Sequence, residues 1–557
     1  MPHVNMLSSE RSNLREPRNG SGSPEFRVGQ RVHYSGDSHR TGSVKYIGPV
    51  KGYTGTWIGV DWDDGNGKHD GCHNGLRYFE ASSSTSASFV RPNNLSAGIS
   101  LLHAVELRYG TASSKEDEDE MYVFSASNKR VTVQLLGKEE IQNKLSHFEE
   151  LKSASLSYLG VGYAGDPHHI TTTIPNVKEL VLTGNLLSEW EDVGVICTTL
   201  HALEVLNLSR NIMSHDICGM PMLNAIRVLV LNHTGIGWKH VEILKDSLPM
   251  IEELHLVGNK LKEITVLSAP SSSAFVQGFK FLHLLNLDCN CIDSWGEILK
   301  LSQLESLEQL FLNHNNISCI WYPDNVTMYE TLNVDECNTK SSRPFKNLHS
   351  LLLGNNNIKD LESVDSLNSF PDLLDVRLSE NPVADPEKCG MPRYVLVARL
   401  AGVKILNGSE VSIRERKESE IRYVRLVMSK SREFPQKIER LHPRFAELKR
   451  YHGIEDEKLQ SGSTGPQKMA AGLISITMKC VGASICEKPP LTKKLPATTT
   501  IGKLKNLCES FFNLRSIKPK LYLHEVGAPL PTLLDDDTAN LNDAGFGNES
   551  VVLVDEE

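Results

Sequence analysis

Eight segments between residues 177 and 385 repeat one short pattern, and this repeat limits the fold more than any other feature of the sequence. Each segment fits L-x-L-x-x-N-x-L or a near variant, as in "LNLSRNIM", "LNLDCNCI" and "LLLGNNNI". The asparagine position of the pattern falls at Asn185, Asn211, Thr234, Asn259, Asn290, Asn315, Asn356 and Asn381. Most neighbouring positions are 23 to 26 residues apart, which indicates one structural unit repeated along the chain.

The pattern has a mechanical reason. The leucines of each short strand are expected to fill a common core, and the asparagine side chain is expected to bond backbone groups of the loop that ends the strand. The period and the motif resemble the leucine-rich repeat family, whose units stack into a curved solenoid with a broad concave face. We predict this solenoid, with a capping helix and strand at its C-terminal end, over residues 171–452.

A second feature is a glycine-dense loop among short β-rich runs between residues 26 and 95. The runs include "RVGQRVHYS", "GTWIGVDWD" and "SASFVRP", and the loop reads "GNGKHDG". Runs of this length separated by turn residues predict a small all-β barrel. Glycine at this density indicates a shaped loop, and within it Lys68 is framed by aromatic residues.

These segments, together with "GLRYF" and "FVRP", resemble the CAP-Gly domain family. The resemblance implies a groove for an acidic C-terminal tail that ends in an aromatic residue, as found on α-tubulin. Carried over position by position, the groove would use Tyr53, Trp57, Lys68, His69, Asp70, Gly71, Phe89 and Arg91. Lys68 suits a carboxylate, and the aromatic walls suit a ring. The competing interpretation is that the glycines serve turns only and that Lys68 is solvated.

His69 stands where that family usually carries asparagine. Its ring can still donate a hydrogen bond, and protonation would add positive charge toward a carboxylate. We therefore expect tail binding to strengthen mildly as the pH falls through the ordinary histidine range, near about 6.5.

Residues 96–170 are predicted to connect the two regions. They hold an acidic run, "KEDEDEMYVF", expected to be a solvated loop flanked by two strands of a hairpin. The run is followed by "KRVTVQLLG" and a predicted helix, "KEEIQNKLSHFEELKSA". "GVGYAG" matches G-x-G-x-x-G, but "DPHHITTTIPN" after it predicts no helix that could present its N-terminus to a pyrophosphate. We interpret this stretch as a loop without a dinucleotide.

The C-terminal third contains a basic segment, a linker and a last folded unit. Residues 412–452 are rich in Arg and Lys, which favours either a surface for an acidic partner or an ordinary charged face of the capping helix. Residues 453–472 have linker composition. The strands "LISITMKC" and "KPKLYLHE" around the helix "IGKLKNLCESFF" resemble the ubiquitin-like fold over residues 473–557. Because "VLVDEE" lacks a terminal Gly-Gly, we expect a binding module and not a conjugated modifier.

Composition narrows the functional classes. The net charge of −10 and pI near 6.1 argue against nucleic acid as a partner. No apolar run is long enough to span a bilayer, so we expect a cytoplasmic protein without a membrane partner. The first 25 residues are expected to be a disordered N-terminus or a tag, since "GSPEF" resembles a cloning junction.

Catalytic constellations do not assemble in the sequence. "DPHHI" offers no third metal ligand, while Cys289 with Cys291, and Cys72 with His73, are interpreted as buried or incidental residues. "GNGK" lacks the spacing of a phosphate-binding loop. We therefore expect no enzyme activity, no cofactor and no metal.

The predicted fold class is multidomain α+β: a small all-β CAP-Gly barrel, a leucine-rich-repeat solenoid and a ubiquitin-like β-grasp domain. This order resembles the tubulin-folding cofactor E family, in a form similar to plant sequences, and the resemblance covers nearly the whole chain after residue 26. It implies a cytoskeleton-associated chaperone that binds α-tubulin and acts with cofactors C and D, and with B as a further candidate, on β-tubulin-containing heterodimers.

Two other functions stay open at this point. The chain could be an adaptor whose ubiquitin-like end docks a component of the ubiquitin–proteasome system, or an anchor on the microtubule lattice. The presence of a single CAP-Gly module without coiled-coil heptads or a long basic tail speaks against the anchor. Co-purification with tubulin dimers or with polymer alone would separate these functions.

Overall fold

The computed structural model describes residues 26–110, 122–124, 130–132, 147–217, 219–267, 275–323, 343–385, 390–431, 438–454, 473–481, 489–512, 514, 519–524, 531–534, 537, 539–541, 544, 546–547 and 549–556. The predicted N-terminal tail and almost all of the predicted linker lie outside these residues. The chain divides into two compact units, which are Met1–Leu203 with Arg210–Ser214, and Glu204–Ser209 with His215–Glu557.

The first unit begins with the predicted small β domain. Its strands are β1 (Arg31–Tyr34), β2 (Asp37–Pro49), β3 (Thr56–Trp62), β4 (Cys72–His73), β5 (Leu76–Arg77), β6 (Ala87–Val90), β7 (Leu95–Ser96) and β8 (Ile99–Ser100). An antiparallel sheet has the order β6-β3-β2-β1-β7. Alternating apolar residues form its core, including Val32, Val44, Ile58 and Val60. Strands β4 and β5, of two residues each, pair as a separate short hairpin directly after the glycine loop.

The connecting region differs from its prediction in two places. Strands β9 (Tyr122–Phe124) and β10 (Arg130–Thr132) pair antiparallel, but β9 is the end of the acidic run itself, so the run is not a loop between two strands. The predicted helix is wrong where it is described: residues 148–150 form a single 3₁₀ turn, and β11 (Ser153–Ser155) follows. Tertiary pairing of β11 overrides the local helical pattern. Residues 138–146 of that prediction lie outside the described residues.

The repeat ladder starts earlier along the chain than the asparagine pattern indicated. Strand β12 (Val161–Tyr163) follows β11, and β11 pairs parallel and in register with β13 (Glu179–Val181). The stretch Pro167–Thr173, predicted to be a loop, is a helix. Asp166 caps it by accepting from the amides of His168 and His169, and Pro167 suits its first position. These start signals specify a helix that the sequence analysis did not predict.

The glycine motif "GVGYAG" forms a joint between the β domain and the first repeats. Strand β8 pairs parallel with β12, and the amide of Ile99 donates to Gly160 O at 2.8 Å. A Cβ atom on Gly160 would lie 2.8 Å from His33 Nε2, and one on Gly162 would lie 2.7 Å from Ala97 O. The glycines are therefore required for close packing of two chain segments, and the strand lies inside the motif instead of before it.

Two further contacts continue this joint into the repeats. The ring of His39, in the β domain, stacks on Tyr158 with centroids 4.2 Å apart and planes 18° apart. The amide of Val161 donates to Asn185 Oδ1 at 2.9 Å, and Leu186 donates to Val161 O at 2.9 Å. The β domain is thus connected to the first repeat asparagine by an unbroken series of packed or hydrogen-bonded groups.

The second unit contains a ladder of short strands, parallel except for its last pair. The strands are β14 (Val205–Asn207), β15 (Val228–Val230), β16 (Glu253–His255), β17 (Leu284–Asn286), β18 (Gln309–Phe311), β19 (Ser350–Leu352), β20 (Asp375–Arg377), β21 (Ile405–Leu406) and β22 (Ser409–Glu410). Their central residues, such as Leu254 and Leu285, are buried, and the flanking residues are half-exposed. A parallel ladder of short strands with buried central residues is the arrangement that the predicted solenoid requires.

All eight predicted asparagine positions are buried. Asn315 shows the shared geometry: its Nδ2 donates to Leu287 O at 3.0 Å in the preceding repeat and to Leu312 O at 3.2 Å in its own, while its Oδ1 accepts from Ile292 N at 3.1 Å. Each such side chain satisfies backbone groups that the turn would otherwise leave unpaired. The prediction that asparagine bonds its own loop is confirmed, and the bonds also join neighbouring repeats.

Helices lie between the strands and after them. Their bounds are Leu101–Val105, Trp190–Thr199, Trp238–Leu244, Trp295–Leu299, Leu361–Ser366, Arg393–Arg399, Ile413–Ser431, Ile438–Leu441, Phe445–Tyr451 and Ile501–Phe512. In the cap, the Arg416 guanidinium donates to Val397 O at 3.1 Å and Leu400 O at 2.7 Å, at the end of the helix Arg393–Arg399. Arg399 pairs with Asp365. Several basic side chains of the 412–452 segment and its surroundings thus bind within the cap.

The ubiquitin-like region is a mixed sheet crossed by one helix. Its strands are β23 (Leu473–Cys480), β24 (Leu491–Pro496), β25 (Pro519–His524), β26 (Thr532–Leu533) and β27 (Ser550–Glu556), in the order β24-β23-β27-β25-β26. The helix Ile501–Phe512 packs Leu504 and Cys508 onto the sheet core with Ile476 and Val552. The predicted fold class is confirmed in all three of its parts.

Candidate functional site

The glycine loop lies against the edge strand β6. The amide of Lys68 donates to Ala87 O at 2.6 Å, and Ala87 in turn donates to His69 O at 2.9 Å. A Cβ on Gly67 would lie 2.4 Å from Ala87 O, so only glycine permits this approach. The loop is therefore fixed by backbone bonds, while the Lys68 side chain is exposed.

Two consecutive side chains turn back onto the loop. His69 Nδ1 accepts from the amide of Gly71 at 3.0 Å, and Asp70 Oδ1 accepts from the amide of Cys72 at 3.1 Å. Both bonds have the spacing of the turns that asparagine and aspartate side chains form with the amide two residues on. Histidine at position 69 thus performs the acceptor role that an asparagine oxygen would have.

Arg77 completes the loop's charge balance. Its Nη2 lies 2.8 Å from Asp70 Oδ2. The amide of Cys72 and then Arg77 hold the pKa of Asp70 below its usual value, and the Asp70 carboxylate raises the pKa of Arg77. Asp70 is consequently an ionised, internally paired group that stabilises the loop.

Aromatic side chains cluster around Phe89, where the sequence analysis predicts the groove. Ring centroids within 6.3 Å of Phe89 belong to His69 (4.9 Å), Tyr78 (5.2 Å), Phe79 (5.7 Å), Tyr46 (6.1 Å) and His73 (6.2 Å). Tyr53 extends this set, because its ring lies 5.7 Å from Trp57 and 5.5 Å from His73. Such a continuous aromatic surface suits an aromatic or apolar side chain of a ligand.

Arg91 and Lys68 supply the positive charge of the groove differently. The Arg91 guanidinium lies 3.8 Å from the Trp57 ring centroid and donates to Thr56 O at 3.3 Å. Lys68 is exposed, and its ammonium group makes no ion pair with any residue that the structure describes. Lys68 is therefore available to a ligand, whereas Arg91 already stabilises the face of Trp57.

The pKa of His69 lies below the ordinary histidine value. Burial is the largest cause, followed by the neighbouring His73, with Lys68 acting in the same direction and Asp70 opposing it. Since Nδ1 already accepts a hydrogen bond, protonation there would also remove that bond. His69 therefore becomes positively charged at a lower pH than the sequence analysis expects.

The structure brings the eight sequence-predicted residues together around the glycine loop and the aromatic cluster; their role in binding a tail stays a prediction. Ring contacts join Tyr53 to Trp57 and His69 to Phe89, while Asp70 and Gly71 shape the loop and Lys68 lies on its exposed side. Sequence reasoning did not assign Tyr46, His73, Arg77, Tyr78 and Phe79 to the groove. Tyr78 and Phe79 could have been assigned from their position directly after the loop. His73 was interpreted as incidental, because only the folded hairpin shows that it faces Tyr53.

In the described part of the chain, histidine, cysteine and acidic side chains form no group of three or more suited to a metal ion. Among the same residues, no helix has the length and apolar character needed to cross a membrane.

Comparison with known proteins agrees with this architecture. Residues 28–95 match the CAP-Gly domain family. The chain is 58% identical over 538 residues to "Tubulin-folding cofactor E" of Arabidopsis thaliana, which covers 96% of this chain and 99% of the relative. It is 30% identical over 485 residues to "Tubulin-specific chaperone E" of Xenopus laevis, covering 84% and 86%.

One solved structure is similar to the C-terminal region: the ubiquitin-like domain of mouse tubulin-specific chaperone E, at 22% identity, a TM-score of 0.14 and coverage of 17% of this chain and 95% of that one. The assignment of the chain to a family rests instead on the two relatives that match it over most of its length. Their identity over nearly the full length, with the predicted order of modules, shows that the chain belongs to the tubulin-folding cofactor E family.

Proposed function

We propose that this chain is a cytoplasmic, cytoskeleton-associated tubulin-folding chaperone that binds α-tubulin and captures its acidic C-terminal tail in the CAP-Gly groove. The observation that carries the proposal is the exposed Lys68 beside a continuous aromatic wall in a chain of this family. The relatives are named a folding cofactor and a chaperone, which supports action by binding and not by catalysis.

Local charge supports an acidic ligand. Residues 26–95 carry eight Lys and Arg and six Asp and Glu side chains, a formal charge of +2, in a chain whose net charge is −10. Two of the six acidic groups, Asp70 and Asp63, are paired internally with Arg77 and Arg31. The loop therefore offers the Lys68 charge to a carboxylate without a competing acidic partner among the described residues.

The remaining modules fit larger partners. One short-tail site buries too little surface for a stable complex, so we assign most of the contact with folded α-tubulin to the solenoid. Tubulin cofactors C and D, with B as a further candidate, and β-tubulin are the other proposed partners in heterodimer assembly and disassembly. The ubiquitin-like domain has its own core and is proposed to dock a partner.

The test uses the full chain and a synthetic acidic peptide that ends in Glu-Glu-Tyr. The peptide should bind, and removal of its last residue should weaken binding by at least about tenfold, because the terminal carboxylate and ring are displaced together. Lys68→Gln should weaken binding similarly, whereas Lys152→Gln, an exposed lysine outside the β domain, should not. Equal binding of the full and truncated peptides would contradict tail capture.

A second experiment addresses the whole function. The full chain should co-purify with α-tubulin or with the tubulin dimer, and capture by polymer alone would favour the microtubule anchor. Deletion of residues 473–557 should leave peptide binding intact, because the groove lies in a different unit, and should weaken dimer dissociation. If the shortened chain dissociates tubulin dimers fully, a regulatory or degradative role of the ubiquitin-like domain is favoured.

A further inference from the structure

Two ring nitrogens, one of Trp57 and one of His73, have no hydrogen-bond partner among the described residues. Trp57 Nε1 and His73 Nε2 are both shielded from solvent, and neither has a partner among the residues that the structure describes. Shielded polar groups in folded proteins almost always have partners, so an unpaired one calls for a physical explanation. A ligand that is absent from the free protein is one such explanation.

Both rings pack against the same side chain. Tyr53 lies 5.7 Å from the Trp57 ring centroid and 5.5 Å from that of His73. Tyr53 itself is 52% exposed and lies in a loop between Gly52 and Gly55, which both have positive φ. Tyr53 is therefore the most exposed of the three rings, and its loop contains the residues best able to change conformation.

The surroundings of these two donors favour an anion. The Arg91 guanidinium lies 3.8 Å from the Trp57 ring centroid, and the exposed Lys68 precedes His69, whose ring packs on Phe89 as that of His73 does. The nearby Asp70 carboxylate is already bonded to Arg77 and to the amide of Cys72, so it does not serve as their acceptor. An acceptor from outside the chain can satisfy both N–H groups without breaking an internal ion pair.

We propose that His73 is a ligand-binding residue of the groove, and that its Nε2–H donates to the terminal carboxylate of an acidic peptide. In the same complex the Trp57 Nε1–H takes a second acceptor oxygen of the peptide, and Tyr53 moves to admit the ligand. The proposal deepens the tail capture proposed above and rests on it. It adds His73, which carries the donor that distinguishes a free carboxylate from an amide.

A purely structural role for His73 makes a different prediction. If the imidazole only fills space between Tyr53 and Phe89, an aromatic ring without N–H should replace it at little cost. Any loss would then be equal for every peptide, because packing does not depend on the chemical form of the peptide end. The contrast between two peptide forms therefore separates donation from packing.

The experiment compares the Glu-Glu-Tyr peptide as a free acid and as a C-terminal amide, each titrated into the full chain. The wild type should prefer the free acid. His73→Phe should weaken binding of the free acid by about tenfold and of the amide by less than about twofold, because only a hydrogen bond to a charged group is lost. His73→Gln, which retains an N–H donor, should recover part of the preference. His103→Gln, on a helix outside the groove, is the control.

Two further variants test the remaining parts. Trp57→Phe should weaken both peptides if the indole bonds a backbone oxygen. Tyr53→Ala should retain the preference for the free acid, since both donors remain. Loss of the preference there would overturn the role of Tyr53 as a movable cover.

The outcomes are separable. Equal losses for the two peptide forms in His73→Phe, or no loss in either, would overturn the role of His73 while leaving tail capture intact. If the wild type binds neither form, tail capture itself fails and this assignment fails with it. Thermal unfolding of each variant identifies those that do not fold, and His73→Gln then provides the decisive comparison.

Discussion

His69 Nδ1 accepts a 3.0 Å hydrogen bond from the amide of Gly71, so the imidazole is part of the backbone structure of the loop that carries Lys68. Nδ1 accepts this bond only while it carries no proton. Protonation of His69 would therefore change the structure of the loop.

The first prediction concerns pH. The folded pKa of His69 is lowered, mainly by burial, so the unfolded chain binds a proton first as the pH falls through about 6.5. The contribution of His69 to stability is therefore complete above that pH and is lost on acidification. Denaturant unfolding of wild type and His69→Asn at pH 7.5 and pH 5 should show the wild type losing more free energy of unfolding. Parallel pH profiles would contradict this link.

The second prediction concerns Gly71, whose φ is +95° and whose added Cβ would lie 2.1 Å from Phe79 O. Gly71→Ala should destabilise the β domain by more than about 2 kcal/mol, because backbone strain and a steric clash combine. Gly75→Ala is the matched control: its φ is +77° but nothing lies within 4 Å of the added Cβ. It should cost only about 1 kcal/mol, and equal costs in thermal unfolding would refute the clash.

The third prediction concerns the asparagine ladder. Asn315→Ala should lower the free energy of unfolding by about 2–4 kcal/mol, since Leu287 O, Leu312 O and Ile292 N lose a buried partner. The neighbouring Asn316 is exposed, so Asn316→Ala should stay within about 0.5 kcal/mol. Chemical denaturation of both variants measures the difference. Similar losses of unfolding free energy in the two variants would show that the buried asparagines do not stabilise the solenoid.

The fourth prediction concerns the solenoid cap. Arg416→Met should destabilise the cap by about 3 kcal/mol, because carbonyl groups at the end of the helix Arg393–Arg399 lose their donor. Arg414→Met, two residues away, replaces an arginine that is 74% exposed and should change stability by less than about 1 kcal/mol. Hydrogen exchange at the amide of Leu400, which donates to Leu396 O at 2.9 Å at the end of this helix, should report the loss. Unchanged protection in Arg416→Met would falsify the capping role.

The sequence predicted correctly those parts of the fold that depend on neighbouring residues along the chain. The repeat asparagines were predicted from their spacing and the helix Ile501–Phe512 from its sequence pattern, while the order of three modules was predicted from the resemblance of their motifs to known families. The helix Pro167–Thr173 was missed although Asp166 and Pro167 signalled its start.

The remaining errors and omissions depend on tertiary contacts. Ser153–Ser155 forms a strand because β13 is available to pair with it, which the local helical pattern does not reveal. His73 was set aside because its contacts with Tyr53 and Phe89 join three separate segments of the chain. The close approach of Gly160 to His33 likewise spans more than a hundred residues, so the glycine motif could be recognised but not explained.

The glycine joint has a consequence for association. Strand β12 contacts both β8 and Asn185, and Tyr158 stacks on His39, so the described residues of the β domain and of the first repeat pack directly against each other within one compact unit. A flexible tether between two recognition surfaces loses orientational freedom each time a ligand engages both of them. Here that loss of freedom occurs once, when the chain folds. A ligand that reaches from the groove to the first repeats therefore meets two surfaces already in fixed register.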